Sequence, residues 1–226
     1  RIREELSFAT DFIVYDGYTY RFATVSNKSD CIVFIEGDDS VAERMSSVLA
    51  IAFANIKALY DEKYDKGSFI KNIILDNILP SDIYVKSNEL HFNNEEPRAV
   101  MIVKFLNIPE MTPYEILQTL YAERMHDYVI NINEQDIVIV KEVTAETEFP
   151  EREAEATELL HKLSEEYNTR VLIGISSVVD NLKDLARAYK EARISLEVGK
   201  VFDIEKPVMA YENLGIGRLI YQLPTT

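Results

Sequence analysis

The side chains that could carry acid–base, metal or nucleophilic chemistry are few and scattered. The three histidines, His91, His126 and His161, stand far apart in the sequence, and a lone histidine is more often a surface or helix-end residue than a ligand. The single cysteine, Cys31, lies in an apolar run, where a thiol behaves as a small hydrophobe. One cysteine excludes a disulfide framework and a cysteine-rich zinc site. We therefore predict no catalytic residue, no metal site and no cofactor.

Motifs that bind phosphate or present a nucleophile are also missing. The sequence contains no Gly-x-Ser-x-Gly elbow and no Walker loop. The pair Gly215 and Gly217 lacks the third glycine and the preceding strand and helix of a dinucleotide site. The run 142–158 carries seven acidic residues against Arg152 alone, and we interpret it as a solvated loop and helix face, not as a metal site.

The composition is that of a globular protein. Of the 226 residues, 47% are hydrophobic and 28% are charged, which is enough apolar surface to form one large or two small cores. The net charge of −15 argues against a surface that binds nucleic acid, because such surfaces neutralise phosphates with Lys and Arg. No run of eighteen apolar residues and no signal peptide is present. We expect a cytoplasmic protein that does not contact a membrane, and a chain that is a fragment of a longer protein.

The elements that would position a site begin with a β-rich segment at 7–36. A hairpin turn is predicted at Asp16-Gly17, and the apolar run 31–35 is typical of a central strand. We interpret these strands as the second half of a PAS- or GAF-like sensor, whose first half would lie upstream of Arg1. Its aromatic residues either line a small-molecule pocket or form ordinary core: Tyr15, Tyr18, Tyr20, Phe22 and Phe34.

A long helix is predicted from Ser40 to residue 64, which completes a first domain at 1–64. Its apolar stripe is wider than one sheet contact requires. Either the helix packs only on its own sheet, or it pairs with its copy in a homodimer. The candidate dimer contacts are Met45, Leu49, Phe53 and Ile56.

A helical connector is predicted at 65–96. Gly67-Ser68 should break the long helix, and a second helix at 69–79 should end at Pro80. A third helix at 81–91 would use three residues as its apolar face: Ile83, Val85 and Leu90.

A second domain is predicted at 97–213, in the order β-α-β-β-α-β-α-β. The elements are a buried strand at 97–106, a helix at 112–123, a hairpin at 127–141, a helix at 151–167, a strand at 170–175, a helix at 181–202 and a strand at 207–211. Thr112 and Pro113 should begin the first of these helices. The whole chain is thus predicted to be α+β, and this domain to be a ferredoxin-like α/β sandwich with an added edge strand.

The helix at 181–202 is the best-defined element. Asn181 should cap it through its side chain, and Gly199 or Pro207 should mark where the helix ends. Five residues at spacings of three and four should pack on the sheet: Leu182, Leu185, Tyr189, Ala192 and Leu196. Three others should face water: Lys183, Lys190 and Glu197.

The segment from Leu185 to Gly199, followed by Tyr211-Glu-Asn-Leu-Gly-Ile-Gly-Arg-Leu-Ile220, resembles the end of the GGDEF-like domain in CdaR/PucR-type bacterial regulators of sugar-diacid and purine catabolism. The resemblance extends back to about Phe69. It implies a transcription regulator that responds to an unknown small-molecule effector. It also implies that DNA is bound only through a helix-turn-helix beyond Thr226, with 214–226 as the start of the helix that leads to it.

In active GGDEF cyclases the hairpin tip supplies Gly-Gly-Asp-Glu-Phe. The matching residues here are Asn133, Glu134, Gln135, Asp136 and Ile137. Both glycines are therefore replaced, and Lys104 stands where the first strand of a cyclase supplies an acidic Mg²⁺ ligand. The resemblance thus implies a catalytically inactive domain. The alternatives are a divergent nucleotide-binding or cyclase module and a dimerisation scaffold without a ligand.

Overall fold

The computed structural model describes residues 2–8, 11–25, 28–144, 149–201, 206–215 and 217. The chain forms two compact units, unit 1 (Arg1–Asp65) and unit 2 (Lys66–Thr226). Both contain helices and a sheet, so the predicted α+β class is confirmed. Among the helices of the described residues, none combines the length and the apolar composition that crossing a membrane requires.

Unit 1 is built on a three-stranded antiparallel sheet in the order β1-β2-β3. Its elements are helix α1 (Ile2–Phe8), strands β1 (Phe12–Tyr15), β2 (Tyr18–Val25) and β3 (Lys28–Glu36), and the first part of helix α2 (Ser40–Ile74). Asp16 and Gly17 have φ angles of 50° and 77°, which is the geometry of a two-residue hairpin turn whose central residues both need positive φ. The predicted hairpin is confirmed.

Two predictions for unit 1 are wrong. Residues 2–8 form α1, whereas β structure was predicted from Ser7; the side chain of Leu6 is buried, and this packing on the sheet favours a helix. The run Cys31–Ile35 lies in β3, at the edge of the described sheet and not at its centre. Its apolar composition therefore produces a partly uncovered surface, on which Phe34 is 62% exposed.

Helix α2 is one continuous helix of 35 residues, so the predicted break at Gly67-Ser68 is wrong. A glycine inside a helix costs only about 1 kcal/mol relative to alanine. The turns that follow Gly67 bury Phe69, Ile70 and Ile73 almost completely in unit 2, and this burial outweighs that cost.

The end of α2 also differs from the prediction. The helix ends at Ile74, where Asp76 has a φ of 62°. The Asp76 N–H bonds to the carbonyl of Ile73, and the Asn77 N–H bonds to that of Asn72. This pattern is a Schellman motif. Pro80 therefore does not end a helix, contrary to the prediction. It begins helix α3 (Pro80–Glu89) at the first helical position.

Helix α3 uses only part of its predicted apolar face. Ile83 is buried, and Leu90, just past the helix, packs against the core, but Val85 is 57% exposed. The inward face is completed by Ser87, which is fully buried. Positions 83, 87 and 90 share one side of a helix, and position 85 lies on the other side.

Unit 2 contains the predicted β-α-β-β-α-β-α-β order, which is confirmed. Its elements are β4 (Arg98–Phe105), α4 (Pro113–Leu120), β5 (Tyr128–Asn131), β6 (Asp136–Glu142), α5 (Phe149–Tyr167), β7 (Val171–Ile175), α6 (Leu185–Val201) and β8 (Val208–Ala210). The strand order is β5-β6-β4-β7-β8, antiparallel throughout except for the β7–β8 pair. The βαββαβ part is the ferredoxin-like arrangement, to which β8 adds an edge strand.

Strand β4 separates the two cores of unit 2. Val100 and Ile102 face one core, which contains α6, α3 and the end of α2, whereas Val103 and Phe105 face the other, which contains α4 and α5. Alternation of side chains along a strand produces this division. Because both faces are covered, β4 is apolar at nearly every position.

The predicted start of α4 is confirmed in detail. Thr112 Oγ1 accepts a hydrogen bond from the Glu115 backbone N–H, and the Glu115 carboxylate accepts one from the backbone N–H of Thr112. This is a capping box, with Pro113 as the first helical residue. The helix ends at Leu120, three residues before the predicted end.

The apolar stripe of α6 is confirmed, but the predicted side-chain cap at its start is wrong. Asn181 precedes a 3₁₀ turn (Leu182–Asp184) and makes no capping bond through its side chain; its backbone carbonyl accepts the Asp184 N–H instead. Of the two residues predicted to mark the end of the helix, Gly199 lies inside it, because the helix continues to Val201, and Pro207 lies beyond it. A Cβ atom at Gly199 would lie 1.8 Å from the Met209 sulfur, so this glycine provides room for β8.

Residues 214–226 are predicted to form the start of a further helix. Most of them, residues 216 and 218–226, lie outside the described residues. A 3₁₀ turn at Tyr211–Leu214 precedes these residues.

Candidate functional site

The hairpin between β5 and β6 is closed by hydrogen bonds of its own residues. The side-chain oxygen of Asn133 accepts the backbone N–H groups of Gln135 and Asp136 at 2.9 and 2.8 Å. The Gln135 carbonyl in turn accepts the N–H of Phe105 at the end of β4. An asparagine side chain thus occupies the backbone donors that a glycine-rich tip could offer to a ligand.

Both oxygens of the Asp136 carboxylate are engaged. Lys104 Nζ lies 2.9 Å from Oδ1, and the Asn133 amide donates to Oδ2 at 2.9 Å. Lys104 and Asp136 are directly opposite each other in the β4–β6 pairing. The side chains of both are about one quarter exposed. A lysine ammonium therefore neutralises the carboxylate that a cation would otherwise approach.

The remaining hairpin residues do not gather around this ion pair. Glu134 and Gln135 are exposed, and Ile137 is buried in the core between the sheet and α4 and α5. Among the described residues of the chain, no group of three or more His, Cys, Asp or Glu side chains could hold a metal ion. The structure thus brings Asn133, Asp136 and Lys104 together and leaves Glu134 apart.

Residues of α6 lie near the same carboxylate. Tyr189 is packed against the core, and burial raises the pKa of its hydroxyl; the positive charge of Arg193 lowers this pKa and the negative charge of Asp136 raises it. The helical periodicity predicts Tyr189 only as a member of the apolar stripe. The cluster depends on the strand register that sets Lys104 and Asp136 opposite each other, and no local sequence pattern specifies that register.

The histidines and the cysteine do not contribute to this site. His91, His126 and His161 are all exposed, and His126 lies 3.5 Å from the Glu142 carboxylate. Cys31 is partly exposed on β3 of unit 1. These residues lie at separate places within their units, as their isolation in the sequence indicates.

The acidic run 142–158 is only partly a solvated face. Glu151 and Glu158 are exposed, but Arg152 is buried and bonds to the carbonyl of Ser176 and the carboxylate of Glu212. Residues 145–148 of this run lie outside the described residues.

Glu155, in the same run, forms ion pairs with Lys141 and Arg124. Burial opposes its ionisation, but the hydrogen bonds and charges of Lys141 and Arg124 outweigh burial and lower the pKa of its carboxyl. Glu155 therefore has a structural role.

Glu155→Gln should destabilise unit 2 by about 1–3 kcal/mol at pH 7, because Lys141 and Arg124 each lose a charged acceptor. A lowered pKa means that the contribution is complete above the usual pKa of 4.5 and is lost as the pH falls through the folded-state value. Denaturation midpoints of wild type and variant should converge in acid. Glu165→Gln, at an exposed position of α5, is the control and should change stability by less than about 0.5 kcal/mol. A stability difference that does not depend on pH would contradict the assignment.

The aromatic residues of unit 1 lie on one face of its sheet. The rings of Tyr18, Tyr20 and Phe34 contact each other at centroid distances of 5.8 to 6.4 Å. Tyr15 is 39% exposed, and Phe22 is partly buried. The opposite face contains Thr19, Arg21 and Ala23, which are buried. The ligand pocket predicted at the aromatic residues stays a prediction.

The four candidate dimer residues of α2 are all exposed. Met45, Leu49, Phe53 and Ile56 expose between 43% and 65% of their surface. Their exposure makes them available to a partner, and the dimer contact stays a prediction.

Comparison with known proteins gives one result that bears on the site. The sequence model of the GGDEF-like domain matches residues 76–198, a range that contains β4, the hairpin, and most of α6. No curated protein sequence matches the chain. Since the matched range is more than half of the chain, the protein belongs to the GGDEF-like domain family.

Proposed function

We propose that this chain is a regulatory segment of a bacterial transcription regulator of the CdaR/PucR type, and that its GGDEF-like domain is catalytically inactive. The observation that carries the proposal is the Lys104–Asp136 ion pair at the hairpin tip. A cyclase needs carboxylates that are free to bind metal ions bridging the nucleotide phosphates. Here the carboxylate at the hairpin is bound by a lysine, and a metal ion would have to displace that charge.

The hairpin backbone supports the same conclusion. Glycines allow a backbone to approach a nucleotide closely, but the tip contains none, and Asn133 occupies two of its N–H donors. A nucleotide would have to break these bonds before it could be held by the backbone.

The role that follows is sensing or relay within a homodimer. An effector of unknown identity would act on unit 1, whose aromatic sheet face offers apolar and hydroxyl groups. The acidic chain, with a net charge of −15, would not itself hold DNA. Contact with DNA would come from a helix-turn-helix C-terminal to this chain, as the resemblance implies.

Incubation with GTP and Mg²⁺ should yield no cyclic dinucleotide above a buffer blank, because Lys104 and Asn133 bind the Asp136 carboxylate at the hairpin. The thermal midpoint should likewise be unchanged by GTP and Mg²⁺ together. Asp136→Asn is the control variant and should give the same two results. Turnover, or a Mg²⁺-dependent thermal shift that Asp136→Asn abolishes, would instead support a divergent nucleotide-binding or cyclase module.

A further inference from the structure

The middle of α2 exposes an unusual amount of apolar surface. From Met45 to Ile56 the sequence contains no charged residue, although 28% of the chain is charged. Between Ala50 and Phe69, no described side chain of α2 is buried. A helix that is apolar and exposed over several turns is a binding surface for another protein or a cause of aggregation.

The exposed residues follow a heptad. Successive spacings of four, three, four and three residues connect Met45, Leu49, Ala52, Ile56 and Leu59, all of which are exposed. This is the a/d pattern that holds two helices together. Val41 and Val48 border the pattern and are 59% and 67% exposed. We name the five residues the α2 seam.

The seam is separate from the side of α2 that packs within unit 1. That side is formed by the small residues Ala42, Ser46 and Ala50, which are buried, and the Ser46 hydroxyl accepts a hydrogen bond from Arg21 Nε. At 100° per residue, the seam is centred about 100° around the helix from these three residues. Phe53 lies close to the packed side, and Ile51 lies on the side of the helix away from the seam.

We propose that the α2 seam pairs with the α2 seam of a second copy of this chain, in a parallel two-helix contact. An a/d stripe is complementary to itself, because each side chain enters a hole between the same residues of an identical helix. Covering the six larger residues of the seam and its border would remove roughly 600 Å² per copy, or about 1,200 Å² in total, the lower limit of a stable interface. The proposal refines the predicted contact, since it includes Ala52 and Leu59 and excludes Phe53.

The seam ends after Leu59, where charged residues occupy the next heptad positions. Lys63 and Lys66 occupy the next a and d positions, and the Lys66 ammonium lies over the Phe92 ring of unit 2 at 5.6 Å. Two copies of a lysine would repel each other across a parallel pair, so the contact stops after Leu59. The parallel direction alone rests on the proposed function, because a regulator that presents two output domains to two half-sites needs both at one end of the pair.

The test compares Ile56→Glu with Ile51→Glu in the whole chain. These isoleucines are 65% and 60% exposed on the same helix, but only Ile56 belongs to the seam. Light scattering and sedimentation should show a wild-type dimer, a dissociation constant at least about 100-fold higher for Ile56→Glu, and little change for Ile51→Glu. Far-ultraviolet circular dichroism should be the same for all three. A wild type that is monomeric at every concentration, or equal dissociation by both variants, would overturn the seam.

Disulfide formation tests the direction of the helices and still reports if Ile56→Glu unfolds. In a Cys31→Ser background, Met45→Cys and Leu59→Cys should each crosslink to their own copy in a parallel pair. An antiparallel pair would give neither homodimer and would crosslink the two variants only when they are mixed, which overturns the parallel direction. GTP turnover by a dimer with an intact seam would contradict the proposed function alone, so the two failures are distinguishable.

Discussion

Gly174→Ala should destabilise unit 2 by about 3 kcal/mol, near the upper end of what an added methyl group costs in a packed core. Gly174 lies in β7 beneath α6. A Cβ atom here would lie 2.3 Å from the backbone oxygen of Ala192 and 2.8 Å from the Ser195 hydroxyl. The first neighbour is backbone and cannot rotate away, so the helix itself would have to shift. Urea denaturation followed by circular dichroism should show a lower midpoint with an unchanged slope.

Gly67→Ala is the matched control for this substitution. Gly67 is also in unit 2, but a Cβ atom at that position would meet no atom within 4 Å. The residue lies inside α2, where replacing glycine by alanine gains about 0.5–1 kcal/mol. The two glycine-to-alanine changes should therefore have opposite signs. If both raise the midpoint, the close packing of α6 on β7 has been misassigned.

These two glycines also show where sequence patterns succeed and fail. The apolar stripe of α6 and the buried run of β4 are long and periodic, so both elements could be predicted from local sequence. The break at Gly67 was predicted from an equally local signal, and it was wrong because residues 69–74 contribute burial that only unit 2 provides. Local patterns identify elements well and predict their ends less well, since ends depend on packing.

The candidate site could be predicted only in part for a related reason. The sequence places Lys104 near the end of a strand and Asp136 at a hairpin tip, but their contact joins residues 32 positions apart. It depends on the register of β4 against β6, which is set by the whole sheet. The edge position of β3 was not predicted for the same reason: an apolar run indicates a buried strand but does not show which elements cover it.

Leu185→Ala and Leu196→Ala should each destabilise unit 2 by about 2–5 kcal/mol, because a buried leucine loses transfer free energy and leaves a cavity. Leu185 is fully buried and Leu196 is 5% exposed. Lys190→Ala, on the exposed side of the same helix, removes only a surface ion pair with Asp76 and should change stability by no more than about 0.5 kcal/mol. Equal shifts of the urea midpoint for the leucines and Lys190 would show that the faces of α6 are assigned wrongly.

Double variants that combine Gly174→Ala with either leucine change distinguish a leucine that contributes to the clash from one that does not. A Cβ atom at position 174 would lie 2.7 Å from Leu196 Cγ, so Leu196→Ala should relieve part of the clash, and the double variant should lose less stability than the sum of the single changes. Leu185 is not among the nearest atoms, and its effect should add to that of Gly174→Ala within about 0.5 kcal/mol. Relief by Leu196→Ala should be incomplete, because the Ala192 carbonyl stays in place. Additive losses for both leucines would mean that α6 moves as a rigid body away from β7.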